Sequence, residues 1–254
     1  MTKLFGSLRT VVRERYALLT LESFVPSTLP GWSDAVCVVQ ISPAMGARFS
    51  QTLVTMTPAS IGGGQTGTSE LFAYLVEGQC TVSFGQKKSS LATDSYVYVP
   101  PQRDYLFGGA TAGTRLLLFE KTYAALEAAA GPQLLIGKAS DISGQPFLGD
   151  ADARLQVLLP EQPAFDMAVN IFAYLPGATL PFVESHVMEH GLMMLAGQGI
   201  YRLDNDWHPV QAGDVIWMAP YCPQWFAAMG KTPASYIYYK DVNRSALASQ
   251  PSKT

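Results

Sequence analysis

Part of this 254-residue chain repeats itself 119 positions further on. Gly78-Gln79 falls on Gly197-Gln198, Asp94-Ser95 on Gly213-Asp214, and residues 96–99 on 215–218, all without a gap. Repetition over so long a region calls for two like units in one chain, and the length suffices for two domains of ordinary size. The pattern inside each repeat is a rhythm of strand and turn. Gly191-Leu192-Met193-Met194-Leu195-Ala196 runs into the turn Gly197-Gln198-Gly199, residues 200–203 form a second strand, and Asp204-Asn205-Asp206 turns again. Gly213-Asp214 opens the apolar strand 215–218, and Ala219-Pro220-Tyr221-Cys222-Pro223-Gln224 closes it. Short strands separated by Gly and Asp turns describe a small antiparallel barrel, so the chain is expected to be all-β with two barrels in tandem. The expected organisation is an N-terminal barrel with its extension over 1–130, a linker over 131–152, a C-terminal barrel over 153–244 and a tail over 245–254. Residues 123–130, rich in alanine, predict a helix between the barrels.

The chemistry concentrates in the second unit. Glu184-Ser185-His186-Val187-Met188-Glu189-His190 holds two of the three histidines within five positions. Read as a strand, alternation puts Glu184, His186 and His190 on one face and turns Val187 and Glu189 away. Two imidazoles and a carboxylate facing one interior point to a divalent metal, and such an oxygen-bearing set suits Mn²⁺ or Fe²⁺ better than a thiolate-seeking ion. The strand-turn pattern resembles the cupins, whose last histidine ligand stands eleven residues after the glycine of their second motif. Gln224 occupies that place after Gly213, and Glu184 occupies that of the first histidine. Gln224 is the weakest donor, either a metal ligand or a hydrogen-bonding group for a ligand. The first half has no histidine: Gln65, Gly67, Leu71 and Tyr105 stand at the equivalent positions, and a metal-free barrel is expected there, with Glu70 and Glu77 as its polar exceptions.

Other residues carry less. Cys37, Cys80 and Cys222 are odd in number and far apart, which fits a reducing cytoplasm, and Cys222 reads as a buried thiol rather than a nucleophile. His208, beside Trp207 and Pro209, reads as a surface or hydrogen-bonding residue. Tyr236, Tyr238 and Lys240 share one face of the last strand; alternation alone favours Lys240 as a solvated charge at the strand end. A net charge of −3 without a Lys/Arg run argues against nucleic acid. The N-terminus lacks an uninterrupted apolar core, and no apolar run reaches the roughly 18 residues of a membrane span.

Three stretches sharpen the resemblance: residues 183–191, Gly-Gln-Gly-Ile-Tyr-Arg-Leu-Asp-Asn-Asp-Trp at 197–207, and Ser-Tyr-Ile-Tyr-Tyr-Lys-Asp-Val-Asn-Arg at 235–244. Together with residues 96–101 and 172–178 they resemble the (S)-ureidoglycine aminohydrolase family, manganese bicupins of purine-ring catabolism, over roughly residues 15–244. The resemblance implies hydrolysis of (S)-ureidoglycine to (S)-ureidoglycolate and ammonia by a cytoplasmic homo-oligomer. It implies Mn²⁺ held by Glu184, His186, His190 and Gln224, with Glu184 and Gln224 also meeting the substrate. Lys240 is then the catalytic residue, and Tyr201 and Tyr236 contact the substrate, which reverses the reading of Lys240 from pattern alone. Two other classes stay open on sequence grounds: a cupin dioxygenase using Fe²⁺, and a non-catalytic cupin that binds a small molecule.

Overall fold

The computed structural model describes residues 8–126 and 130–245. Almost all of its regular structure is strand, and the described residues form two compact units, each built largely from one half of the repeat. One unit takes Val25–Ser143 and Pro160–Asp166. Its nine-stranded sheet pairs, in order, Leu135–Lys138, Ser95–Val99, Ser69–Glu77, Thr114–Thr122, Ser50–Gln65, Asp104–Gly108, Gln79–Phe84 and Lys87–Ala92, with Trp32–Ile41 added against Ser50–Gln65. The other unit takes the described residues through Phe24, Gly144–Leu159, and the chain from Met167 onward. There an eight-stranded sheet pairs Val11–Val12, Tyr16–Leu19, Val215–Met218, His190–Ala196, Ala234–Asp241, Met167–Tyr174, Asp150–Val157 and Gln145–Phe147. A three-stranded sheet, Asp206–Gln211, Gln198–Leu203 and Gln224–Ala228, shares its core: Phe172, Leu192, Tyr201, Phe226 and Tyr236 pack in one cluster drawn from both sheets.

The repeat is visible strand by strand. Gln79–Phe84 and Lys87–Ala92 lie 119 residues before Gln198–Leu203 and Asp206–Gln211. The turns repeat as well: positive φ occurs at Gly78 and Gly197, Gly85 and Asp204, Asp94 and Gly213, and Gln102 and Tyr221. Only Gly meets no steric cost in that region, and Asp tolerates it through local hydrogen bonding, so the turn signals read from sequence mark real left-handed positions. At Gly197 the backbone of Pro233 and Ala234 also approaches so closely that a Cβ would collide with it.

Three expectations need correction. The units are not sequential, because Tyr16–Leu19 pairs with Val215–Met218 and Pro160–Asp166 joins the first-described unit. Such pairing is non-local, and no composition shift announces it. The expected linker 131–152 holds the strands Leu135–Lys138 and Gln145–Phe147, each short enough to hide among Gly, Ser and Asp. Residues 123–126 and 130 are not helical, and 127–129 lie outside the described residues, as does the expected tail beyond Ser245.

The histidine-free unit carries a buried polar cluster around Glu70. Leu71 is part of its apolar core, while Glu70, one residue earlier, is fully buried among polar groups. The Tyr98 hydroxyl donates to Glu70; Lys121 Nζ lies 2.6 Å from Asp166 Oδ2 and 4.0 Å from Glu70 Oε1. Glu77 is instead exposed and pairs with Arg115 at 3.0 Å. Burial first, and then neighbouring Asp166, pushes the Glu70 carboxyl up to about 9 from an ordinary 4.5. Asp166 is also buried, but its hydrogen bond with Glu70 and the Lys121 charge hold it below its usual value. The native state therefore keeps a proton on Glu70 that the unfolded chain releases above 4.5. Its stabilisation is complete below that pH and is lost as pH rises toward 9. Urea titrations across this window should show stability falling with pH in the wild type and a flatter profile in Glu70→Gln, whose amide mimics the neutral acid. An equally steep fall in both would contradict a protonated Glu70.

Candidate metal and substrate site

Seven residues singled out in the sequence meet on one cavity of ≈ 200 Å³: Glu184, His186, His190, Tyr201, Gln224, Tyr236 and Lys240 all line it. Tyr238 joins them, as alternation along the last strand required, and this corrects the pattern-only placement of Lys240 as an outward, solvated charge. Lys240 is half-buried on the cavity face. The remaining wall is apolar, with Phe147, Leu155, Phe172 and Leu192 among its residues. Sequence reasoning missed Phe147 because it lies in the segment expected to be a linker. Its ring packs edge-on against Phe172 at 4.8 Å.

The reason given for grouping Glu184 with the histidines also changes. Residues 185–189 are not strand; Glu184 forms an isolated bridge to Gln224, and His190 begins the strand His190–Ala196. Paired main-chain bonds of 2.9 Å run both ways between Glu184 and Gln224, and the Tyr221 N–H donates to the His186 carbonyl at 2.7 Å. The loop is thus pinned to the turn before Gln224. His190 is fixed separately, opposite Met218 on one neighbouring strand and Lys240 on the other.

The side chains converge at their tips. His186 Nε2 lies 3.2 Å from His190 Nε2 and 3.1 Å from Gln224 Nε2, and the Tyr201 hydroxyl donates to Gln224 Oε1 at 3.3 Å. Burial, then His186 and Lys240 as neighbours, holds His190 well below its ordinary value, against a hydrogen bond with the Tyr239 main chain. Burial and then Lys240 lower His186 as well. Both imidazoles are therefore neutral near pH 7, with lone pairs to offer. Burial raises the Glu184 carboxyl, with Lys240 opposing, and burial raises the Tyr201 and Tyr236 hydroxyls well above their usual value, so both phenols stay protonated donors. A further layer stands behind the cavity: Asn170 Nδ2 donates to the Tyr238 hydroxyl at 3.0 Å, and the Tyr174 and Tyr236 hydroxyls are 3.0 Å apart.

Among the described residues, no three His, Cys, Asp or Glu side chains form a ready-made metal cluster. The donor chemistry nonetheless fits a divalent ion. Two neutral imidazole nitrogens face each other at 3.2 Å. A cation at the shared Nε2 position satisfies both lone pairs, and a 180° rotation of the Gln224 amide presents its oxygen there in place of nitrogen.

The other flagged residues lie outside this cavity's lining. His208 Nε2 is 3.1 Å from the Tyr16 hydroxyl, which donates to Asp206, so His208 has a hydrogen-bonding role. Cys222 is buried, with its thiol pushed up by burial, and all three cysteines are free. Glu189, turned away from the cavity, is fully buried and accepts from Trp217 Nε1 at 3.4 Å.

Curled antiparallel sheets closing on a cavity with histidine, glutamate and glutamine at one end define a cupin, and the cupin domain description matches residues 170–239. The likeness to particular proteins extends over nearly the whole chain. It is 40% identical over 245 residues to the (S)-ureidoglycine aminohydrolase of Arabidopsis thaliana, covering 95% of this chain and 80% of that protein. It is 36% identical over 243 residues to the enzyme of the same name from Escherichia coli K12, covering 93% and 92%. The chain belongs to the (S)-ureidoglycine aminohydrolase family. Solved structures agree: protein Ylba of E. coli superposes with a TM-score of 0.84 at 33% identity, covering 94% of this chain and 96% of that one. A putative glyoxylate induced protein from Pseudomonas aeruginosa reaches 0.87 at 29% identity, covering 96% and 94%.

Proposed function

We propose that this chain hydrolyses (S)-ureidoglycine to (S)-ureidoglycolate and ammonia in purine catabolism, with Mn²⁺ held by Glu184, His186, His190 and Gln224. The observation that carries the reading is the meeting of all seven family-matched residues on one cavity, next to an apolar wall that limits water. The reaction breaks the C–N bond to the amine, forms a C–O bond to water, and moves one proton from water to the leaving amine. Held by Glu184, His186, His190 and Gln224, Mn²⁺ would supply a positive charge to anchor and polarise the substrate. Lys240 faces the same space and is the group placed to take the proton from water and deliver it to the amine. Tyr201 and Tyr236, kept protonated by burial, donate hydrogen bonds to the ureido oxygen or the carboxylate. Together these contacts hold the aminal carbon in one orientation, so that water enters with a defined configuration. With its amide turned so that the oxygen faces the ion, Gln224 gives its Nε2–H to the Tyr201 hydroxyl oxygen in place of the bond at 3.3 Å, which frees that hydroxyl's proton for the substrate.

Three free, buried cysteines suit the reducing cytoplasm proposed as the site of action, and none of the described helices is long and apolar enough to cross a membrane. Metal removal tests the cofactor. Protein stripped with a chelator should lose ammonia release above the spontaneous rate and regain it with Mn²⁺; full activity after stripping would contradict the metal site.

A further inference from the structure

The strands that carry His190 and Lys240 have a second set of residues on their other side, and these are tied to one another. His190 is paired with Met218 and with Lys240 across two strands. The next residue outward is Glu189 on the histidine strand and Asp241 on the lysine strand, while Trp217 lies one residue inward, opposite Gly191. Trp217 Nε1 donates to Glu189 Oε2 at 3.4 Å, and the Glu189 N–H donates to Asp241 Oδ1 at 2.7 Å. The ladder between these strands ends at the His190–Lys240 pair. One residue further, a side-chain carboxylate takes the place of a main-chain acceptor.

Part of this arrangement is common to both halves of the repeat and part is not. Glu70 and Tyr98 stand 119 residues before Glu189 and Trp217, and there too the aromatic residue donates to the buried carboxyl group. The glutamate–aromatic bond therefore belongs to the architecture. The carboxylate at 241 does not: one residue is added before the last strand, so the ladder register makes Lys121 its counterpart, just as the counterpart of His190 is Leu71. Asp241 thus accompanies the histidines rather than the fold. It holds the amide immediately before His190, at the point where the irregular segment carrying Glu184 and His186 enters the strand.

We propose that Asp241 is a positioning residue for this ligand-bearing segment: by accepting from the Glu189 N–H, its side-chain oxygen fixes where the loop ends and so where the His190 ring begins. The proposal deepens the functional reading above and rests on it for the identity of the ion. Residues that orient a ligand without touching the metal are typically worth 10- to 100-fold in metal affinity. What Asp241 supplies to the Glu189 N–H is an acceptor atom. Asp241→Asn keeps that oxygen and removes the charge, whereas Asp241→Ala removes both.

The test combines two measurements on the full-length protein. In the metal-free state, hydrogen exchange of the peptide spanning residues 184–190 should quicken about tenfold or more in Asp241→Ala and stay near wild type in Asp241→Asn. Equilibrium dialysis against Mn²⁺ should show affinity weakened about 10- to 100-fold in the alanine variant and within about twofold of wild type in the asparagine variant. If Asp241→Ala does not fold, Asp241→Ser, whose oxygen stops one bond short, should show the same losses. Exchange and affinity both unchanged in the alanine or serine variant would overturn the proposal, as would an asparagine variant as defective as alanine. A lower melting temperature with unchanged Mn²⁺ affinity would assign Asp241 a purely structural role and also overturn it. Wild-type protein that takes up no Mn²⁺ would sink the proposed function instead, and the exchange data would still decide whether Asp241 holds the loop.

Discussion

Lys240→Met should keep its bound Mn²⁺ and lose turnover by about a hundredfold or more, the usual contribution of a positioned general acid–base group. Methionine preserves the bulk of the lysine stem along the cavity wall, so the His190–Lys240 strand pairing and the packing around it should persist. What is lost is the group proposed to exchange a proton between water and the leaving amine. Lys240→Arg should not restore turnover, because a guanidinium does not give up its proton in this pH range. Steady-state kinetics alongside metal analysis separate the possibilities: wild-type turnover in the methionine variant would remove Lys240 from the mechanism, whereas loss of metal in that variant would make it a structural support instead.

His190→Ala should lose most of its Mn²⁺ and with it nearly all activity, while its far-ultraviolet circular dichroism stays that of a β-rich protein. His190 is buried at the cavity wall, and its Nε2 is one of the two imidazole nitrogens at the proposed cation position. The apolar cluster around Phe172, Leu192 and Phe226 does not depend on that nitrogen. His186→Ala should behave similarly. Tyr105→Phe supplies the control: Tyr105 stands at the position equivalent to Gln224, packs edge-on against Phe107, and should leave metal content unchanged. Equal metal in wild type and His190→Ala would refute the ligand assignment.

Much of the fold was legible because its signals are local. Gly and Asp at left-handed turns punctuate the strands, and they recur at a fixed offset, so the strands Gln79–Phe84 and Gln198–Leu203 could be aligned before either was seen. The pairing of Tyr16–Leu19 with Val215–Met218 could not, since no nearby residue marks a partner some two hundred positions away. The short strand Gln145–Phe147 was hidden for a different reason: three residues are too few for a period, and their neighbours carry turn composition.

The site shows the same division. Alternation correctly put Tyr236, Tyr238 and Lys240 on one face but gave no means of telling the cavity face from the solvent face; family resemblance supplied that choice. For Glu184, His186 and His190 the residues were right and the reason was not, because a loop pinned at Gln224 brings them together rather than a straight strand. Asp241 left no sequence signal, since the role proposed for it depends on a contact with a main-chain amide across the sheet.

Ureidoglycine, an aminal, also decomposes without an enzyme, so ammonia release alone is a weak witness to the proposed function. The configuration of the product tests it most directly. Purified, Mn²⁺-loaded protein incubated with freshly generated ureidoglycine should form (S)-ureidoglycolate in large excess over its enantiomer, faster than the spontaneous rate and with one ammonia released per product. Racemic ureidoglycolate appearing at the background rate would contradict it.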